Sequence, residues 1–260
     1  MTWLSAEYEF AGLFSYRIPN LSPSFAFSSL IPGPSTVKLA IVSTAIERNG
    51  SVKYGEEMFE AIKSSRILFD IPEKIALFRA LIKRLKQEVI AKKMPKSEKI
   101  TGICSICKSE KDVWEIDKVL ICKDCASNRI TTTFGTREYV HFSGPLKIFI
   151  EVSGKSKEIQ TILEQIKYFG TSDSLVSCRE VTESSPDEER CAKPIDKVEE
   201  LKGQRVLVIP LLDFKHDVEF DDINPYKKTR KSPFESKPYV LPVNVEKEGS
   251  NWIIYSKIES

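Results

Sequence analysis

Residues 104–125, CSICKSEKDVWEIDKVLICKDC, hold four of the chain's six cysteines in two Cys-x-x-Cys pairs. Cys104 and Cys107 form the first pair and Cys122 and Cys125 the second, with fourteen residues between the pairs. Two residues inside each tight turn let both sulfurs face one point. Two such turns complete the tetrahedron that zinc prefers with thiolates. The intervening DVWEIDKVLI carries β-branched and aromatic residues and reads as a short hairpin. The stretch is therefore expected to bind Zn2+ as a ribbon, with an iron–sulfur cluster as the alternative. Four thiolates saturate zinc and leave no position for water, so such a site is structural and not catalytic. It either staples an insertion too small to hold its own core or presents a surface to nucleic acid or a partner. Cys178, in a strand-like run, and Cys191, in an acidic loop, have no catalytic partner in view.

A chain of 260 residues suits one large domain, or one domain with an embedded module. Its net charge is +2, so a nucleic-acid role must come from local patches. No apolar run approaches the ~20 residues that span a bilayer, and VLVIPLL (206–212) is broken by Pro210. The start, MTWLSAEYEF, has neither a basic nor an apolar leader region. The expected address is the cytoplasm, where clustered cysteines are metal ligands sooner than disulfides. Glutamine is scarce (Gln87, Gln160, Gln165 and Gln204), which leans toward a thermophile.

WLSAEYEFAGLFSYRI (3–18) partly alternates and predicts a first strand, followed by a proline- and serine-rich loop (19–35). STVKLAIVSTAIERNG (35–50) predicts a helix capped by Ser35 and ended by Gly50. A second helix is expected near 55–66. A third is expected from Asp70 as cap, Pro72 in the first turn and Glu73 completing a capping box. Ile71, Ile75, Phe78, Ile82, Leu85 and Val89 would form its buried stripe, and Pro95 would stop it. Its remaining face is basic, with Lys83, Arg84, Lys92 and Lys93 leading into the cysteine insert. That face is expected to meet phosphate, the plain alternative being a solvated surface. Strands follow at 137–144 and 145–154, a helix at 156–170 and a strand at 172–183. After an acidic loop come a strand at 205–214, a basic loop with Lys227, Lys228, Arg230 and Lys231, and a last hairpin turning at Glu248-Gly249-Ser250.

With residues 51–135 set aside, the order is strand, helix, strand, strand, helix, strand. The expected class is α+β, a ferredoxin-like (RRM-like) core from 1–50 plus 136–185. A helical and zinc-ribbon insertion at 51–135 and a C-terminal β-rich extension at 186–260 complete it.

Three stretches carry a family resemblance: FSYRIPNLSPSFAFSSLIPGPST after the first strand, the helix VKLAIVSTAIE, and YFGTSDSLVSC, a glycine turn feeding a core strand. Together they resemble the Cas-five family of CRISPR-associated proteins, the Cascade subunit that caps the 5′ end of the guide RNA. The resemblance covers roughly 1–50 and 136–185. It implies a ferredoxin-like core, a glycine-rich loop after the second core helix, and a projecting β-hairpin thumb. The implied partners are guide RNA, the large subunit, the backbone subunit and, near the insert, target DNA, with no membrane. The insert, by position, looks like the thumb or its base. Type I-D is the favoured complex type and type I-A the next.

On that resemblance the handle would meet Tyr16 and Arg17, which close the first strand and could stack or clamp. Thr36 and Lys38 stand at a helix N-terminus that attracts phosphate. The glycine loop reads Gly170-Thr171-Ser172-Asp173-Ser174, with an acid where the family often has bases. Contacts there would come from backbone N–H groups and the hydroxyls of Ser172 and Ser174. One branch of the family cuts precursor RNA. The two histidines, His141 and His216, offer no visible acid–base pair, so the chain is expected to be non-catalytic. A guide-processing endoribonuclease, and a zinc-ribbon adaptor of transcription or ribosome assembly, are the competing functions.

Overall fold

The structure, a computed structural model, describes residues 2–18, 25–88, 100–116, 118–127, 129–171, 173–196, 201, 206–224, 226–227 and 232–258. It is α+β, and the strand pairs of its sheets are antiparallel. The chain begins with β1 (Thr2–Phe10) and the short strands β2 (Tyr16–Arg17), β3 (Phe25–Ala26) and β4 (Ser28–Ser29). Helices α1 (Pro34–Asn49) and α2 (Val52–Ile62) follow, then β5 (Ile67–Asp70) and β6 (Lys74–Glu88). Next come β7 (Ile100–Ile103), β8 (Glu110–Ile116), β9 (Val119–Cys122), α3 (Lys123–Ser127) and β10 (Arg129–Phe142). The remainder is β11 (Leu146–Val152), α4 (Ser156–Leu163), β12 (Val176–Glu183), β13 (Lys193–Pro194), β14 (Leu207–Phe214), β15 (Phe234–Leu241), β16 (Val243–Glu248) and β17 (Trp252–Lys257).

Two compact units result: residues 1–80 with 137–260, and residues 81–136. The larger unit is organised on a four-stranded sheet in the order β12-β1-β11-β5. Alternation in TWLSAEYEF sends Leu4, Ala6 and Tyr8 to the buried face, where they join Ile148 and Ile150 of β11. Val37, Ile41 and Ala45 of α1 and Ile159, Ile162 and Leu163 of α4 fill the same core. Each large apolar side chain so buried contributes roughly 1.5–3 kcal/mol. Tyr8 enters the core because its hydroxyl donates to the Leu163 carbonyl at 2.8 Å. A ring cluster of Phe10, Phe14, Phe142 and Phe169 closes one end.

α1 starts at Pro34 behind Gly33 and ends at Gly50, whose φ of 62° permits the left-handed cap. Ser35 does not cap the helix as expected. Its hydroxyl donates to the Leu212 carbonyl at 2.9 Å. α2 is capped by Ser51. A Cβ on Gly55 would stand 2.3 Å from Ile46 Cγ1, so glycine lets the two helices touch. The last hairpin turns at Gly249, as the sequence predicts.

Three expectations are corrected. The third helix is instead β6, which pairs with β17 in the register Leu77↔Ile253 and Phe78↔Trp252. The apolar spacing fits a helical stripe, but Ile75 and Phe78 find cross-strand partners in Tyr255 and Trp252 and Leu85 is exposed, so tertiary pairing overrides a local period. The strand expected at 137–144 is the end of β10, in the five-stranded sheet β16-β17-β6-β10-β3. β11 is flanked not by that strand but by β1 and β5, with Phe69 opposite Ile148. Finally, α2 and β5 belong to the larger unit and not to the insertion, which begins at Leu81. No helix among the described residues is long and apolar enough to cross a membrane.

Candidate functional site

In the smaller unit the three-stranded sheet β7-β8-β9 brings the cysteine pairs together. Cys104 and Cys107 lie in the turn after β7, Cys122 ends β9 and Cys125 sits on α3. The turn is closed by Cys104 N–H to the Ser109 carbonyl and Lys108 N–H to the Cys104 carbonyl, both 2.9 Å. Val113 of β8 and the half-buried Leu120 of β9 pack against the cysteines. All four sulfurs lie within 4.8 Å of one another, and Cys107 Sγ is 3.8 Å from Cys122 Sγ. A regular tetrahedron with metal–sulfur bonds of about 2.3 Å has edges of about 3.8 Å, so the donor set fits a four-coordinate metal. All four thiols are free of disulfides.

Their acidities point the same way. Burial pushes the Cys104 thiol up, but backbone N–H groups at Cys107, Cys122 and Ile106 outweigh it and hold it at about 6. Cys125 is pushed up to about 12, first by its hydrogen bond with Cys122 and then by burial. Four crowded sulfurs cannot all ionise unaided, and a bound cation removes that conflict.

In the larger unit Gly170 lies between α4 and β12, with φ of 76°. A Cβ there would stand 3.2 Å from Thr36 Cγ2 and 3.8 Å from Tyr16 Cε1. Glycine is thus required twice, by backbone conformation and by close approach. Beside it Ser174 is 1% exposed; its N–H donates to the Thr171 carbonyl and its hydroxyl lies 3.4 Å from Thr171 Oγ1. The Tyr16 hydroxyl is buried and makes no hydrogen bond among the described residues. Burial pushes its pKa up, with the nearby Ser174 hydroxyl partly opposing. The exposed Arg17 and the half-buried Thr36 share a small cleft with Tyr16. The structure therefore assembles Tyr16, Thr36, Gly170 and Ser174, with Arg17 adjoining.

Other expected contacts fall elsewhere. Lys38 is 1% exposed and donates to Asp213 Oδ1 at 2.7 Å and to the Lys63 carbonyl at 2.9 Å, so it is not available to RNA. It lies on the face of α1 that meets β14, and an ion pair is the means by which a lysine tolerates that burial. Lys83 is exposed on β6, and Arg84 follows it on the same strand. Lys92, Lys93 and Ser172 lie outside the described residues, as do Lys228, Arg230 and Lys231. Lys227 pairs with Asp221 at 2.5 Å. His141 and His216 are both exposed.

Two tyrosines were not anticipated. An apolar cleft of about 530 Å3 opens beside Gly170, lined by Thr36, Leu39, Ser43, Tyr168 and Tyr226 among others. Tyr226 is 95% exposed. The signal in the sequence was a tyrosine opening the basic run YKKTRK.

No family model matches the chain. Its sequence is 31% identical over 256 residues to the CRISPR-associated protein Cas5 of Archaeoglobus fulgidus, a match covering 97% of each protein. Among solved structures it is similar to a CRISPR protein from Archaeoglobus fulgidus, at a TM-score of 0.49 and 14% identity over 100% of this chain and 93% of that one. A chain of a CRISPR RNA-guided surveillance complex follows, at a TM-score of 0.37 and 11% identity over 92% and 88%.

Proposed function

The chain belongs to the Cas5 family of CRISPR-associated proteins, and on that premise we propose that it is a non-catalytic, RNA-binding subunit of a type I CRISPR surveillance complex. It holds the 5′ handle of the guide RNA in the larger unit and contacts the large and backbone subunits. The observation that carries this reading is the Gly170 loop. A glycine held open by conformation and contact faces Thr36 and Tyr16, whose buried hydroxyl has no partner among the described residues. An unpartnered buried hydroxyl beside bare backbone suits a phosphate or ribose oxygen. Tyr168 and Tyr226, in the adjoining apolar cleft, suit an unstacked base.

The strand order β12-β1-β11-β5, with α1 after the first strand and α4 before the last, supports reading the larger unit as a ferredoxin-like core. We read Cys104, Cys107, Cys122 and Cys125 as a structural zinc site. Zinc would supply a crosslink between the two cysteine turns, and a saturated site supplies no reactive water.

The test is to purify the protein from its native host and sequence the RNA that accompanies it. RNAs sharing one repeat-derived 5′ end are expected. Random fragments, or none, would overturn the reading in favour of a zinc-ribbon adaptor. Cleavage of repeat RNA by the purified protein would replace it with an endoribonuclease.

A further inference from the structure

The outer face of the sheet β12-β1-β11-β5 is where an RRM-like module would stack bases. Here that face is charged or covered. Glu7 and Glu9 of β1 share Arg179, at 3.4 and 2.6 Å. Trp3 and Phe149, its aromatic side chains, are packed with Leu68 and Cys191.

The five-stranded sheet of the same unit carries what that face lacks. Phe78 of β6 stands opposite Trp252 of β17, so both point to one side of the sheet. Phe78 stacks with Tyr139 of the neighbouring β10, their ring centroids 5.7 Å apart and their planes 24° from parallel. Leu77 and Arg79 alternate to the other side, where Arg79 holds the buried Glu138 at 2.9 Å. The side away from Glu138 thus bears an aromatic row, with Trp252 exposed and Phe78 and Tyr139 half-buried. Strands about 4.8 Å apart make a three-strand row about 10 Å long. An RRM sheet stacks about two or three bases over such a row.

Cations adjoin the row. The Arg137 guanidinium, on β10 two residues before Tyr139, lies 5.3 Å from the centroid of the Tyr139 ring. It also reaches Asp173 at 3.4 Å. Asp173 sits in the loop that holds Gly170 and Ser174, so the row ends beside the proposed handle site. Lys247 of β16 stands opposite Ile254, on the Trp252 side of β17, and is exposed. Of the acids beside the row, Asp173 is held by Arg137 and Glu246 by Lys74 at 3.0 Å. Ring faces interleaved with cations suit a single strand, because every base has a π-face and every linkage a negative charge.

We propose that Trp252, Phe78 and Tyr139 form a stacking platform for unpaired nucleotides of RNA, with Arg137 and Lys247 on their phosphates. The platform rests on the reading of the larger unit as RNA-binding and adds a second site to it, one that tolerates any base. It shares no residue with the handle site, so either can fail alone.

The test uses the full-length protein and a short fluorescein-labelled oligouridine, free of repeat sequence, followed by anisotropy. An abasic strand of equal length keeps the phosphates and lacks the bases. The parent is expected to bind oligouridine at least fivefold tighter than the abasic strand, roughly the least that one stacked base supplies. Trp252→Leu and Tyr139→Leu remove a ring and keep an apolar side chain. Each should lose at least about fivefold on oligouridine and leave the abasic strand unchanged. Ultraviolet irradiation of the parent complex should crosslink RNA to the peptide that holds Trp252 or Tyr139, which decides the question even where a variant fails to fold. Crosslinks confined to other peptides, folded variants that bind like the parent, or no preference for oligouridine over the abasic strand would overturn the proposal. So would binding of oligodeoxyuridine alone, or a folded Trp252→Leu that keeps RNA but no longer assembles with the other complex subunits. Repeat-derived RNA bound by a protein that ignores oligouridine would leave the handle site standing and remove the platform.

Discussion

Lys38 Nζ lies 2.7 Å from Asp213 Oδ1, tying the first turns of α1 to the end of β14 inside the core. Removing the carboxylate leaves an ammonium that is 1% exposed with only the Lys63 carbonyl to satisfy it. Asp213→Ala should cost about 3–5 kcal/mol in urea unfolding. Lys38→Met should cost less, because Asp213 keeps Lys237 at 3.3 Å and the Phe214 N–H at 2.8 Å. The pKa of Lys38 is lowered, chiefly by burial, with Asp213 opposing. The unfolded chain therefore binds that proton more tightly than the folded one. The penalty of burying the charge is present at neutral pH and fades as pH rises through the folded-state value toward the ordinary 10.5. The cost of Asp213→Ala should shrink over the same range. Equal costs for the two variants at neutral pH would contradict this account.

Gly170→Ala adds a Cβ at positive φ, 3.2 Å from Thr36 Cγ2. Destabilisation of about 1–2 kcal/mol is expected, with weaker binding of repeat-derived RNA. Thr36→Ser removes the methyl group that the new Cβ would strike. The double variant should regain the steric part of the loss and keep the part due to φ. If the second substitution recovers nothing, the close approach is not what excludes a side chain.

Tyr16→Phe separates stability from binding. The hydroxyl makes no hydrogen bond among the described residues, so its removal from the free protein should change stability by less than about 0.5 kcal/mol or raise it. If the hydroxyl meets the handle, RNA affinity should fall about fivefold to tenfold, in keeping with one hydrogen bond. Unchanged RNA affinity would remove Tyr16 from the site.

The legible parts of this fold are those in which local pattern and tertiary role agree. The cysteine spacing gave a cluster whose sulfurs converge, and Gly50 ends α1 where a left-handed cap was expected. β6 was misread because Ile75, Phe78 and Ile82 satisfy a helical period by accident, while strand pairing with β17 is invisible from residues so distant in sequence. β5 escaped notice because ILFD is a short run beside a stronger capping signal, Asp70-Ile71-Pro72-Glu73. At the candidate site, Gly170, Tyr16, Thr36 and Ser174 were nameable one by one, whereas their convergence follows from the sheet. Lys38 looked like a helix-end cation because nothing local announces Asp213, 175 residues away, as its partner.

The last expectation concerns the metal. Residues 81–136 place few apolar side chains inside: Cys104, Val113, Ile121, Cys122 and Ala126 are the buried ones among the described residues. Two of those five are cysteines of the metal-fitting cluster and the other three belong to clusters that include a cysteine of the set, so the unit's small core is built around the crosslink. Cys104→Ser/Cys122→Ser, or prolonged chelation, should therefore unfold this unit and spare the larger one, whose core has its own buried cluster. Amide exchange would show the outcome as lost protection in β7, β8 and β9 with protection kept in β1 and β11. Because the thiols must give up their protons to bind, metal release should begin as the pH is lowered, with zinc appearing in solution before the larger unit melts. Loss of protection across β1 and β11 together with β7–β9 would mean that the two units fold as one, and would refute the staple.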